Sequence, residues 1–137
     1  MRYLIDTNIL AFYLSDSSRL EDNVLSVLQD YENNIFVSSE VMKEVIQLIH
    51  NGKLDKKKNK KIDDIFDLVE NEIGFSIKYI NQQHLKTFEK LPVVANHNDP
   101  NDRLIIAQSI AEKIPLISSD RKFENYRKYK LDLIFNE

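Results

Sequence analysis

The chain has no cysteine, which removes disulfides, thiolate nucleophiles and cysteine-ligated zinc from consideration. Only two glycines and three prolines occur among its 137 residues, so no flexible linker, repeat or low-complexity stretch is expected. No apolar run approaches the ~20 residues that span a bilayer. A strand-like segment opens the sequence where a leader would otherwise stand. These absences predict one globular domain, residues 1–137, working in the cytoplasm without a membrane. A net charge of −3 argues against a protein that coats nucleic acid non-specifically. It leaves room for a nuclease, whose acids lower the total while local basic patches hold phosphates.

Strand-like and helical patterns alternate along the chain. Tyr3-Leu4-Ile5 reads as a short buried strand, and Ile9, Leu10, Phe12, Tyr13 and Leu14 as a first helix with capping chemistry from Asp6 to Asn8. Leu20, Val24, Val27, Leu28 and Tyr31 continue with a helical period that Asn33-Asn34 breaks. Ile35-Phe36-Val37 gives a second strand. Ser38 or Ser39 then caps a helix carrying Val41, Val45, Leu48 and Ile49, ending near Asn51-Gly52. Ile62, Ile65, Phe66, Val69 and Ile73 mark another helix, closed by Gly74. Phe75 to Ile80 alternates as a partly exposed strand, and Leu85, Phe88 and Leu91 suggest a short helix before Pro92. Leu104 to Ile114 is a strongly apolar helix, Leu116-Ile117 a buried strand, and Leu131 to Phe135 a last strand. Strands separated by helices predict an α/β fold, a central mostly parallel sheet flanked by helices.

Acids sit at telling places in that pattern. Asp6 and Asp120 fall where buried strands end, and Asp102 falls where a helix begins. In an open α/β sheet, ligand sites form at the carboxyl ends of the strands. Carboxylates converging there crowd negative charge, which a divalent cation offsets. That combination points to a metal-dependent phosphodiesterase. Mg²⁺ and Mn²⁺ take oxygen ligands, and such an ion lowers the pKa of a bound water and offsets charge on the phosphate. Histidine general acid–base chemistry is not required.

The motifs resemble those of PIN domains, in particular the VapC-type toxin nucleases of bacterial toxin–antitoxin pairs. Leu4-Ile5-Asp6-Thr7-Asn8 resembles the opening strand and its Asp-Thr-Asn motif. Val37-Ser38-Ser39 leading to Glu44 is similar to the family's strand-to-helix segment, with an acid six residues after the serine. Gly52-Lys53-Leu54 matches an ending typical of one branch. His97-Asn98-Asp99-Pro100-Asn101-Asp102-Arg103 is similar to that branch's His-x-Asp-Pro-Phe-Asp-Arg block, with Asn101 in place of the usual Phe. Pro115 to Asp120, followed by Phe123, resembles the closing motif. These motifs, in order and at the right spacing, carry the likeness.

The resemblance implies a metal-dependent endoribonuclease with catalytic Asp6, Glu44, Asp102 and Asp120. Asp6, Asp102 and Asp120 would hold Mg²⁺ or Mn²⁺, with Thr7, Asn8, Asp99, Arg103 and Ser119 in support. It also implies an RNA substrate cut to a 5′-phosphate and a 3′-hydroxyl, a homodimer, and a cognate antitoxin whose tail fills the acidic groove. The apolar helices at 9–14 and 41–49 suit an interface.

Plainer roles stand beside these. Asp6, Asp102 and Asp120 could simply cap helices. Spacing from Ser38 favours Glu44 over Glu40. Asp99 is either a supporting ligand or a helix start before Pro100, and His97 a surface or hydrogen-bonding residue. Arg103 either meets the scissile phosphate or pairs with an acid. Lys53, Lys56, Lys57, Lys58, Lys60 and Lys61 either hold phosphates or form a solvated loop. A haloacid-dehalogenase-like phosphatase would need a second Asp where Asn8 stands, and a receiver domain would need adjacent acids where Asp6-Thr7 stands. A free-standing RNA-processing nuclease and a non-catalytic RNA- or protein-binding PIN domain are the remaining alternatives.

Overall fold

A computed structural model describes residues 1–53, 61–94 and 97–137. Its sheet has five strands: β1 (Arg2–Ile5), β2 (Asn34–Ser38), β3 (Ser76–Lys78), β4 (Leu116–Ser118) and β5 (Leu133–Phe135). The order is β3-β2-β1-β4-β5, and all four pairings are parallel. Ile5 lies opposite Val37 on one side and Ile117 on the other. Leu4, Ile5, Val37, Leu116 and Ile117 are fully enclosed, as expected of central parallel strands covered on both faces. The chain steps outward from β1 through β2 to β3, then crosses back to add β4 and β5. The strand order therefore reverses between β1 and β4, where a crevice opens at the carboxyl ends.

The helices are α1 (Thr7–Ser15), α2 (Asp22–Gln29), α3 (Ser39–His50), α4 (Ile62–Asp67), α5 (Gln82–Lys90) and α6 (Pro100–Glu112). Ser38 caps α3 by accepting from the Glu40 N–H, while the Ser39 hydroxyl accepts from the Ile80 N–H beyond β3. A π-helical segment, Leu68–Ile73, extends α4 to Gly74, whose φ of 88° ends it in the left-handed region that glycine favours. A 3₁₀ helix, Arg121–Tyr129, follows β4.

Several sequence expectations need correcting. The period placed Tyr31 on the face of α2, but that helix stops at Gln29 and Tyr31 is exposed. Ile62 and Leu85 also face outward, because α4 and α5 turn other residues inward; in α5 that residue is His84, which the apolar pattern passes over. The apolar surface of α1 and α3 offered as an interface is largely consumed within the chain: Ile9, Leu10, Val41, Met42, Val45 and Ile49 are buried in the core. Leu54, Lys56, Lys57, Lys58 and Lys60, read as part of a Gly-Lys-Leu ending and a lysine run, lie outside the described residues. No helix among the described residues is long and apolar enough to cross a membrane.

Candidate metal centre

Asp6 ends β1 and caps α1, so one residue serves two purposes. Its Oδ1 accepts from the Ile9 N–H at 3.0 Å, and its Oδ2 accepts from the Ser118 hydroxyl at the end of β4. Ser118 in turn accepts from the Asp120 N–H at 3.0 Å, which ties the ends of β1 and β4 together. Asp6 is almost fully enclosed, and its carboxyl is pushed up to about 7. Burial is the main cause; the two hydrogen bonds oppose it, while the charges of Asp102 and Asp120 add to it.

Asp102 comes from the first turn of α6. Asp99 caps that helix by accepting from the Asn101 N–H at 2.9 Å and more weakly from that of Asp102, with Pro100 at the first helical position. The exposed Asp99 thus performs the helix-start role. Asp120 caps the 3₁₀ helix, accepting from the Lys122 N–H at 2.9 Å. Glu44 enters from α3. Burial raises its pKa and that of Asp102, and neighbouring acids raise both further. For Glu44 those neighbours are Asp102, Asp99 and Glu40; for Asp102 they are Asp99 and Asp120. Glu40 is ion-paired with Lys43 at 3.0 Å.

Asp6, Glu44, Asp102 and Asp120 are therefore drawn within electrostatic reach from three helix starts and one helix interior. The tightest grouping, however, has His97 where Asp6 was expected. Donor atoms of His97, Asp102 and Asp120 lie within 4.8 Å of one another. His97 is buried, so the surface reading of it fails. Its Nε2 meets Asp102 Oδ2 at 3.2 Å and its Nδ1 meets the Tyr126 hydroxyl at 2.9 Å.

The expected supporting residues divide. Thr7 Oγ1 is buried beside Glu44, where its hydroxyl opposes the rise in the Glu44 pKa, and it makes no hydrogen bond of normal geometry among the described residues. Asn8 is exposed on the first turn of α1. Ser118, not Ser119, holds Asp6, a position that the pairing of Ile5 with Ile117 makes legible one residue further on. Arg103 donates to the Leu91 carbonyl and lies over the Phe88 ring, 5.1 Å from its centroid. It fastens α6 to the end of α5. Asn101, in the place of an expected Phe, accepts from Lys43 Nζ at 3.2 Å and links α6 to α3 through a polar contact.

Glu44 Oε1 is a buried acceptor with no partner among the described residues. A buried carboxylate oxygen left bare is costly; beside three further acids it fits an oxygen-binding divalent cation. The residues present suit such an ion.

The PIN domain sequence profile matches residues 3–129. The chain belongs to the PIN domain family. None of the curated proteins matches this PIN domain significantly. Among solved structures, its fold is similar to VapBC2 from Rickettsia felis bound to a DNA fragment from their promoter, with 23% identity, TM-score 0.73 and full coverage of both chains. It is similar to VapBC-1 from nontypeable Haemophilus influenzae, with 20% identity, TM-score 0.69 and 98% of each chain covered. It also resembles VapBC-5 from Mycobacterium tuberculosis, a member of the VapBC family of toxin-antitoxin systems, with 10% identity, TM-score 0.63, and 98% and 96% of the two chains covered. At these identities the likeness concerns the PIN fold.

Proposed function

We propose that this PIN domain is a divalent-cation-dependent endoribonuclease of VapC type, a toxin restrained by a cognate antitoxin. The observation that carries the reading is the convergence of Asp6, Glu44, Asp102 and Asp120 at the switch point of the sheet, with Glu44 Oε1 buried and bare among the described residues. Asp6, Asp102 and Asp120 would hold Mg²⁺ or Mn²⁺, with Glu44 beside them. When bound, the ion makes a water acidic enough to attack at neutral pH and offsets charge on the phosphate.

The protein's own contribution is fixity. Asp6 is held at both oxygens by Ser118 and the Ile9 N–H, so its remaining lone pairs have a set direction. Asp102 is held by His97. Lys43, half-exposed and held by Glu40 and Asn101, would exchange those partners for a backbone phosphate. Cytoplasmic location, a homodimer and an antitoxin partner complete the reading. They rest on the likeness to VapBC complexes and not on bare apolar faces of α1 or α3. The test is single-stranded RNA incubated with the purified chain and Mg²⁺ or Mn²⁺. Cleavage leaving 5′-phosphates, lost on chelation, is expected; undiminished cleavage in chelator, or cyclic-phosphate ends, overturns the proposal. Co-expression with a small reading frame adjacent to the gene should give a complex and suppress cleavage.

A further inference from the structure

The proposed metal centre has a buried polar chain behind it that runs away from the cleft. Tyr126 is fully enclosed in the core, yet its hydroxyl reaches His97 Nδ1, and His97 Nε2 reaches Asp102. The direction of the protons follows from the end groups. An ionised Asp102 can only accept, so His97 Nε2 carries the hydrogen. A neutral ring then has its lone pair at Nδ1, and only a donor can face it. Tyr126 supplies that donor. Arg103, which has donors alone, lies beside the phenol oxygen and leaves its proton free to point at the ring.

Packing fixes the same arrangement. A 3₁₀ helix has about three residues per turn, so Phe123 and Tyr126 fall on one face. Both rings press on the imidazole, at 5.8 Å and 5.5 Å between centroids, the second edge-on. Asp120 caps that helix. One short element therefore presents an acid directly and controls a second acid through a histidine.

We propose that Tyr126 is a positioning residue: by fixing the orientation of His97, it aims Asp102 into the acid cluster and raises the affinity of the site for a divalent cation that it never touches. The inference rests on the metal-centre reading above. Partners of this kind, acting on a ligand from behind, are worth roughly 10–100-fold in metal affinity.

The test uses Mn²⁺ titrations of the full chain, followed by the electron paramagnetic resonance of free Mn²⁺, with ¹⁵N spectra of the histidines. Tyr126→Phe keeps the ring and removes only the hydroxyl. It should weaken Mn²⁺ binding about 10–100-fold and shift the ¹⁵N resonance of His97 Nδ1, which loses its donor, with the metal-free melting temperature lowered as expected of one buried acceptor left bare. His97→Leu should weaken binding at least as much, and His97→Gln, which restores an N–H donor, should recover part of the loss. Unchanged Mn²⁺ affinity in Tyr126→Phe overturns the inference while leaving the metal centre standing. So does a pulsed-resonance signal from nitrogen bound directly to Mn²⁺, because a ligating Nε2 cannot donate to Asp102. A parent protein that binds no Mn²⁺ overturns the metal centre itself, and the affinity claim with it.

Discussion

His84 and His97 are both buried, and each holds a carboxylate, yet the two carboxylates respond in opposite ways. His84 sits in the first turn of α5, where its Nδ1 accepts from the Asn81 N–H and Asn81 Oδ1 accepts from the His84 N–H. Its Nε2 meets Glu112 Oε2 at 2.6 Å, and Lys78 Nζ reaches the other oxygen of Glu112 at 3.6 Å. The hydrogen bond from His84, helped by the Lys78 charge, lowers the Glu112 pKa. At His97 the same kind of bond also favours the charged form of Asp102, but burial and the acids Asp99 and Asp120 outweigh it. A histidine–carboxylate pair beside a cation, at a partly exposed site, is a fastener between α5 and α6. The same pair among enclosed acids leaves negative charge uncompensated, and that surplus is what a cation can use.

The sharpest break of this comparison is activity. Asp102→Asn should reduce cation-dependent RNA cleavage more than about a hundredfold, since losing a ligand costs more than losing its supporting partner. Glu112→Ala should leave cleavage nearly intact. A gel assay of labelled RNA separates the two, and equal losses would mean that the pairs do not differ in kind.

Cation binding should show in stability as well. Mg²⁺ or Mn²⁺ at 100 times its dissociation constant should stabilise the parent by about 2.7 kcal/mol, read as a rise in melting temperature that chelation reverses. Asp102→Asn should show little of that rise.

The pH dependences should have opposite signs. The folded-state pKa of Asp6 is raised to about 7, so without metal its ionisation costs stability as pH climbs from the ordinary carboxyl range toward 7. Asp6→Asn keeps an acceptor for the Ile9 N–H cap and turns its amide N–H toward the Ser118 hydroxyl, which then accepts, and should flatten that fall in metal-free melting curves by an amount on the order of a few kcal/mol. Glu112 has a lowered pKa; its contribution is present above the ordinary glutamate value of 4.5 and is lost as pH falls through its folded pKa. The smallest effect concerns the fastener alone. Glu112→Ala strands the buried Nε2 of His84 and should cost about 1–3 kcal/mol at neutral pH, measured by chemical denaturation.

Much of the fold was legible because strand and helix signals there are local. The run Leu4-Ile5-Asp6 announces both a buried strand and its end, and Asp99-Pro100 announces a helix start. The acids were legible for the same reason, since each terminates an element. His97 and Tyr126 were not, because their meaning depends on packing between segments 29 residues apart. His84 was hidden differently: it fills an apolar position in α5 with a polar ring, and only the distant Glu112 makes that affordable. Tyr31, Ile62 and Leu85 fit a helical period but fall at ends or on outer faces, where periodicity alone does not say which side is inward.

The nine residues of 3₁₀ helix between Asp120 and Lys130 impose a condition on chain length. Each residue of such a helix advances the chain by about 120°. Inserting or deleting a single residue between Asp120 and Phe123 would swing both rings a third of a revolution away from His97, with every side chain still present. Substitutions at the outward-facing Lys122, Glu124 and Lys128 leave that angle alone. The segment therefore behaves as a toothed coupling, tolerant of which residues it carries and intolerant of how many.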